Sequence, residues 1–317
     1  MTAEPREPRA SQPREETYRR SAYPWDWRLP LILVPLDGSA EAKAALPAAR
    51  LVASIAQATI HVVHAADHPL SQDELLRRMD LRPEETRGMV IDGAVGDTAA
   101  GAVVRFAAEM RAMLIVMTTR GRTAYLGRTV RPVVERIVQE APCPVLLVRP
   151  EIERRLATMT GLRRILLPLD GAPSSAAVIG PALDLARRAG AQVDVLYVAT
   201  QARCPEEPGS LTGPRYVDQP QYEWPSWARE FLSRFGTALG KFTPPTPTRL
   251  FVRRGEPAAE TLRLAAERDS DLIVLEWRGR LDPAHATVVR GVLRDAPCPV
   301  LLLRTVPVAA PGDASYR

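Results

Sequence analysis

The chain repeats itself, and this constrains its fold more than any other feature. LILVPLDGS at 31–39 returns as RILLPLDGA at 164–172, and EAPCPVLLVRP at 140–150 returns as DAPCPVLLLRT at 295–305. Between them, TIHVVHA at 59–65 matches QVDVLYV at 192–198, and AMLIVMTTRGR at 112–122 matches SDLIVLEWRGR at 270–280, in the same order. Asp37 and Asp170 are 133 residues apart, as are Ile60 and Val193, whereas Gly96 and Gly255 are 159 apart. The second copy therefore carries a net insertion of 26 residues between its second and third strands. The separation falls from 158 at Gly121 and Gly279 to 155 at Cys143 and Cys298, so three residues are missing from the second copy ahead of its closing strand. Two domains follow, 30–150 and 163–305, joined by a linker at 151–162. The second domain carries an insertion at 201–247, and Pro/Arg-rich residues 1–29 and the tail 306–317 are expected to be disordered.

Within each copy the strand candidates LILVPL, TIHVVHA, MLIVMT and PVLLVR are continuous apolar runs, as strands covered on both faces require. AEAKAALPAARLVASIAQ and DTAAGAVVRFAAEM between them have helical spacing, with Asp97 or Thr98 as the cap of the latter. Alternating strands and helices imply a parallel sheet with right-handed crossovers. Pro47 and Pro181 fall inside predicted helices, where a kink is expected. The linker reads as a short helical turn. In the insertion, Trp224, Trp227, Phe231 and Phe235 form a helical stripe expected to pack on the sheet-covering helices.

Several functional classes are excluded by composition. Hydrophobic residues make up 46% and charged residues 25% of the chain, the balance of a soluble globular protein. No apolar window is long enough for a membrane span and no signal peptide is evident, so a cytoplasmic protein is expected. Of 42 basic residues only Lys43 and Lys241 are lysines, which disfavours lysine-based covalent chemistry and favours carboxylate and phosphate pairing by arginine. A net charge of +5 over this length is not a nucleic-acid footprint. The stretch ETYRRSAYPWDWRLP could stack on single-stranded nucleic acid, but docking on the protein's own surface is the favoured reading. His61, His64, His68 and His285 lack metal-ligand spacing, and no nucleophile elbow or P-loop motif is present. Cys143 and Cys298 read as small buried residues at equivalent places before the closing strands.

Asp37 and Asp170 follow the first strand of each copy, at the carboxyl edge where open parallel sheets bind ligands. Each could accept a hydrogen bond from the amino group of a base or cap the next helix. Thr118-Thr119-Arg120-Gly121 forms a second such edge, where small residues can present backbone N–H groups to phosphate. Taken together, VPLDGS, the G-D or G-E-P turn before a helix, T-x-R-G-R and APCPVLLV, each duplicated in order, resemble the universal stress protein family over 30–150 and 163–305.

The resemblance implies two α/β domains of the adenine-nucleotide-alpha-hydrolase-like (Rossmann-like) class, each a five-stranded parallel sheet of order 3-2-1-4-5 with helices on both faces. By position it implies nucleotide-binding candidates Pro35, Asp37, Ala65, Thr118, Gly121 and Arg131 in the first copy. In the second copy the candidates are Pro168, Asp170, Val198, Gly279 and Thr287. Nucleotide-binding members carry G-x-x-G-x9-G-[S/T]. Here the first copy has Thr118 for the first glycine and Arg131-Pro132 for the Gly-Ser pair, so an N–H and a hydroxyl donor are lost while Arg131 adds a phosphate partner. The second copy has Glu276 at the first glycine position and only six residues before Ala286-Thr287, with Trp277 expected to fill its crevice.

The expectation is a non-catalytic stress-response protein with degenerate nucleotide sites, acting by partner or small-ligand binding, with no metal and no certain cofactor. The alternatives are an ATP- or AMP-binding module using the first-copy crevice, with slow hydrolysis, and a structural protein that binds a partner through 201–247. The closing strands 144–149 and 299–304 are expected to pair as an intramolecular pseudo-dimer. A homodimer and an unidentified protein partner remain further options, without nucleic acid or membrane.

Overall fold

The computed structural model describes residues 30–119, 132–169, 178–199, 246–277, 279 and 286–304. Residues 1–29 and 306–317, the aromatic stripe and all of 201–247 except Thr246 and Pro247 lie outside the described residues. The first copy runs β1 (Leu31–Pro35), α1 (Ala40–Lys43), α2 (Ala45–Ala56), β2 (Thr59–Ala66), α3 (Gln72–Arg78), β3 (Met89–Val95), α4 (Ala99–Glu109), β4 (Leu114–Thr118), α5 (Pro132–Glu140) and β5 (Val145–Val148). A 3-10 turn at Pro150–Ile152 and α6 (Glu153–Thr158) form the linker. The second copy runs β6 (Arg164–Leu169), α7 (Ile179–Ala189), β7 (Gln192–Ala199), β8 (Thr248–Arg254), α8 (Pro257–Glu267), β9 (Leu272–Trp277), α9 (Thr287–Asp295) and β10 (Val300–Arg304).

All ten strands join one sheet in the order β3-β2-β1-β4-β5-β10-β9-β6-β7-β8. Each copy thus has the 3-2-1-4-5 order, with parallel pairing inside each copy and an antiparallel seam between β5 and β10. At that seam Leu146 faces Leu301, flanked by Val145 with Leu302 and Leu147 with Val300. Leu146 and Leu301 occupy equivalent places in the repeat, so the register maps each closing strand onto the other.

Strand alternation sends side chains to two cores on opposite faces. Ile32, Val34, Leu146, Ile165, Leu167 and Leu301 enter one, which holds α2 and α7. Leu33, Ile115, Leu147, Leu166, Ile273 and Leu302 enter the other, which holds α4, α5, α8 and α9. Each core draws on both copies, so burial is continuous across the seam.

The two helix prolines do not kink a helix interior. The first predicted helix divides at Ala44 into α1 and α2, which places Pro47 third in α2, and Pro181 is third in α7. A first-turn residue has no intrahelical N–H bond to lose, so proline is tolerated there. Thr98 is the cap of α4, accepting from the Gly101 N–H at 3.2 Å.

The linker docks on the second copy. Leu156 is buried, and the Arg155 guanidinium donates to the carbonyls of Pro297 at 3.2 Å and Ser270 at 3.0 Å and to Asp269 at 2.8 Å. It also lies 3.5 Å from buried Asp271, whose Oδ2 accepts from the N–H groups of Arg163 at 2.7 Å and Arg164 at 3.1 Å. Asp271 therefore ties the first residues of β6 to the start of β9. Its equivalent in the first copy is Met113, so only the second copy has this anchor. Arg155→Ala removes several charge-assisted hydrogen bonds and is expected to lower the unfolding free energy by about 2 kcal/mol, measured by urea denaturation.

Candidate functional site

Strand order reverses between β1 and β4, and ligands of doubly wound sheets bind outside the carboxyl ends of the strands at such a point. Here β1 runs into Leu36, Asp37 and Gly38. Gly38 has φ +82°, and a Cβ there would lie 2.1 Å from the Arg78 carbonyl oxygen, so only glycine fits against α3. The turn aims Asp37 at Ser39, whose N–H and hydroxyl donate to Asp37 Oδ1 at 3.0 and 2.5 Å. Ser39 Oγ in turn accepts from the Ala42 N–H at 3.1 Å and caps α1. The helix cap is thus Ser39, and Asp37 orients it from the crevice wall.

A cavity of about 110 Å³ opens at this edge. Its floor comes from Pro35, Leu36 and Asp37 after β1, Val63, His64 and Ala65 of β2, and Met117 and Thr118 of β4. Ala42 of α1, Ala99 and Val103 of α4, and Val133, Val134 and Ile137 of α5 form the walls. His64 donates its Nδ1–H to the Leu36 carbonyl at 2.9 Å, fixing the imidazole beside Asp37. The interior is apolar, with polar atoms concentrated at Asp37, His64 and Thr118.

Four of the first-copy candidates, Pro35, Asp37, Ala65 and Thr118, meet in this cavity, while Gly121 and Arg131 lie outside the described residues. Sequence reasoning missed His64, weighed there only as a metal ligand, and the wall from α5. The apolar Val133, Val134 and Ile137 follow directly on Arg131-Pro132, a signal that could have found the wall. In the second copy Pro168 lies on β6 opposite Leu196, Val198 on β7 opposite Arg253, and Thr287 opens α9; Asp170 lies outside the described residues. None of these second-copy residues lines the first-copy cavity. Gly279, at φ +82°, passes close to Arg304, whose Nη2 would be 3.4 Å from a Cβ there. Trp277 is 3% exposed and donates its indole N–H to the Val138 carbonyl of the first copy at 3.0 Å, so its ring is not presented to a base.

Two of the remaining histidines pair with carboxylates: His61 with Asp92 at 2.7 Å and His68 with Asp67 at 2.6 Å. Among the described residues no group of three or more His, Cys, Asp or Glu could hold a metal ion, and no helix is long and apolar enough to cross a membrane. Cys143 and Cys298 are free and buried, as expected, and desolvation pushes each thiol up to about 12.

These features define a doubly wound α/β protein with a crevice at the first-copy switch point of its sheet. A family model described as the universal stress protein family matches residues 31–149 and 161–304. The chain is 36% identical over 134 residues, 37% of its length, to a universal stress protein of Thermus aquaticus, covering 97% of that relative. In structure it is similar to a universal stress protein of Archaeoglobus fulgidus, with TM-score 0.60 and 13% identity over 88% of this chain and 100% of that one. A functionally unknown protein of Pseudomonas aeruginosa PAO1 gives TM-score 0.59 and 17% identity over 88% and 94% of the respective chains. The chain belongs to the universal stress protein family, in tandem form.

The raised thiol pKa values have a consequence for stability. An unfolded chain releases these protons near pH 9 and the folded one near 12, so the thiols' stabilising contribution is complete below pH 9 and falls as pH rises to about 12. The urea midpoint of the wild type is expected to drop more between pH 8 and 10.5 than that of the Cys143→Ala/Cys298→Ala variant.

Proposed function

We propose that this protein is a non-catalytic, cytoplasmic stress-response regulator that binds an adenine nucleoside or nucleotide weakly in its first-copy crevice and passes the occupied state to a protein partner. The observation that carries this reading is the convergence of Pro35, Asp37, Ala65 and Thr118 on one cavity at the switch point. Apolar walls suit a planar ring, and Asp37 offers a carboxylate beside it for an exocyclic amino group. Phosphate recognition is the weaker half: Pro132 has no N–H, leaving Arg131 as the charge that can replace the lost donors.

Binding rather than catalysis is favoured by the roles of the polar groups around the cavity. The Ser39 hydroxyl that donates to Asp37 is buried, caps α1 and does not line the cavity, and His64 Nδ1 is held by the Leu36 carbonyl, which supports structural roles for both contacts. The antiparallel seam supports the reading that the two copies stand in for a dimer of single domains. A covalent linker raises the local concentration of one copy for the other.

Calorimetric titration with adenosine, AMP and ATP, with mass spectrometry of small molecules released on denaturation, tests the ligand. Heat from at least one of the three is expected, and silence from all of them at millimolar concentration would remove the reading. Arg131→Ala is expected to weaken ATP by about tenfold and adenosine hardly at all, as loss of a single charge-assisted phosphate contact predicts.

A further inference from the structure

Helix α5 belongs to two places at once. Its first turns supply Val133, Val134 and Ile137 to the crevice wall. The carbonyls of its last turn have no partner within the helix. Val138 is the clearest case, because the residue four positions on is Pro142, which has no N–H to give. Its carbonyl is satisfied from the other copy, by the Trp277 indole N–H at 3.0 Å. The next carbonyl, of Gln139, accepts from Arg304 Nη1 at 3.2 Å, also from the other copy.

The arginine contact has a counterpart and the tryptophan contact does not. Arg149, the repeat equivalent of Arg304, donates to the Ala296 carbonyl at the end of α9 at 3.1 Å. The first-copy residue equivalent to Trp277 is Thr119, which has no ring and no indole donor. Trp277 is the last residue of β9, in the second copy's own Glu276-Trp277-Arg278-Gly279 stretch, the equivalent of Thr118 to Gly121, and Gly279 leaves room for Arg304 beside it. The end of β9, where the sequence departs from the phosphate-binding pattern, therefore supplies a grip on the neighbouring copy.

We infer that Trp277 and Arg304 are positioning residues for the first-copy crevice: through their hydrogen bonds to the end of α5 they set the wall at its other end, so the second copy tunes what the first copy binds. A nine-residue helix is about 13 Å long and moves as a rigid rod, so a shift at its capped end reaches the wall directly. That the wall faces a nucleoside or nucleotide rests on the function proposed above; that the second copy holds the wall does not.

The test uses the full chain, with Trp277→Phe, which keeps a buried ring and removes its donor, Arg304→Met, which keeps the stem and removes the guanidinium, and both together. Hydrogen exchange by mass spectrometry on the ligand-free protein should show residues 132–141 exchanging about tenfold faster in the double variant, a modest net factor for the two hydrogen bonds removed. Segments 164–169 and 192–199 should keep wild-type rates. Arg304→Lys, which restores a donor, should bring back most of the protection lost in Arg304→Met. AMP affinity should fall by a similar factor in the double variant. Unchanged exchange at 132–141, or faster exchange throughout the second copy, overturns the inference. If the wild type binds neither adenosine, AMP nor ATP, the ligand reading fails by itself, and the exchange rates alone decide whether the second copy holds the wall.

Discussion

The antiparallel pairing of β5 with β10 is the interaction on which the rest of the molecule depends. VLLV of β5 and VLLL of β10 are apolar and buried, and each strand would be an open edge without the other. Because Leu146 lies against its own repeat equivalent Leu301, the pairing is self-complementary and brings equivalent helices onto the same face of the joined sheet. Each hydrophobic core then crosses the seam unbroken, drawing side chains from both copies. The reciprocal donations of Arg149 to Ala296 and Arg304 to Gln139 lie at the two ends of this pairing and satisfy helix carbonyls that would otherwise face it unpaired.

Joining two copies this way lets them diverge. The first copy has a cavity at its switch point, with Asp37 and His64 held by short local contacts. The second has a carboxylate, Glu276, and a bulky ring, Trp277, at the end of β9, and the ring is buried against the first copy. The second copy also carries the Asp271 anchor for the linker, where the first has Met113. Duplication allows such a division because a position needed for one role in one copy is released from it in the other.

Most of the scaffold was legible in the sequence. The central strands β1, β2, β4 and β5 are continuous apolar runs because both faces are covered, and the repeat located their counterparts. The edge strands β3 and β8 were implied only by family resemblance: MVIDGAV and TRLFVRR are partly exposed, and their mixed polarity gives a weaker signal. Helix α3 went unread although Ser71 and Glu74 form a capping box, a pattern visible in the sequence. The prolines were found but misjudged, since spacing alone did not place the helix starts that bring Pro47 and Pro181 into first turns.

By itself the sequence determined the duplication, the α/β class, the length difference between the copies and the strand ends that frame the switch point, because periodicity and repeated motifs are local records of burial and turns. Only the tertiary structure decided which groups meet: Trp277 with Val138, Arg304 with Gln139, and Arg155 with the carbonyls of Ser270 and Pro297. In each of these contacts the acceptor is a backbone carbonyl more than 100 residues from its donor. Pro142 marks the Val138 carbonyl as lacking its usual donor, but nothing in the side-chain sequence names the distant partner that satisfies it until the helices have been brought to the seam.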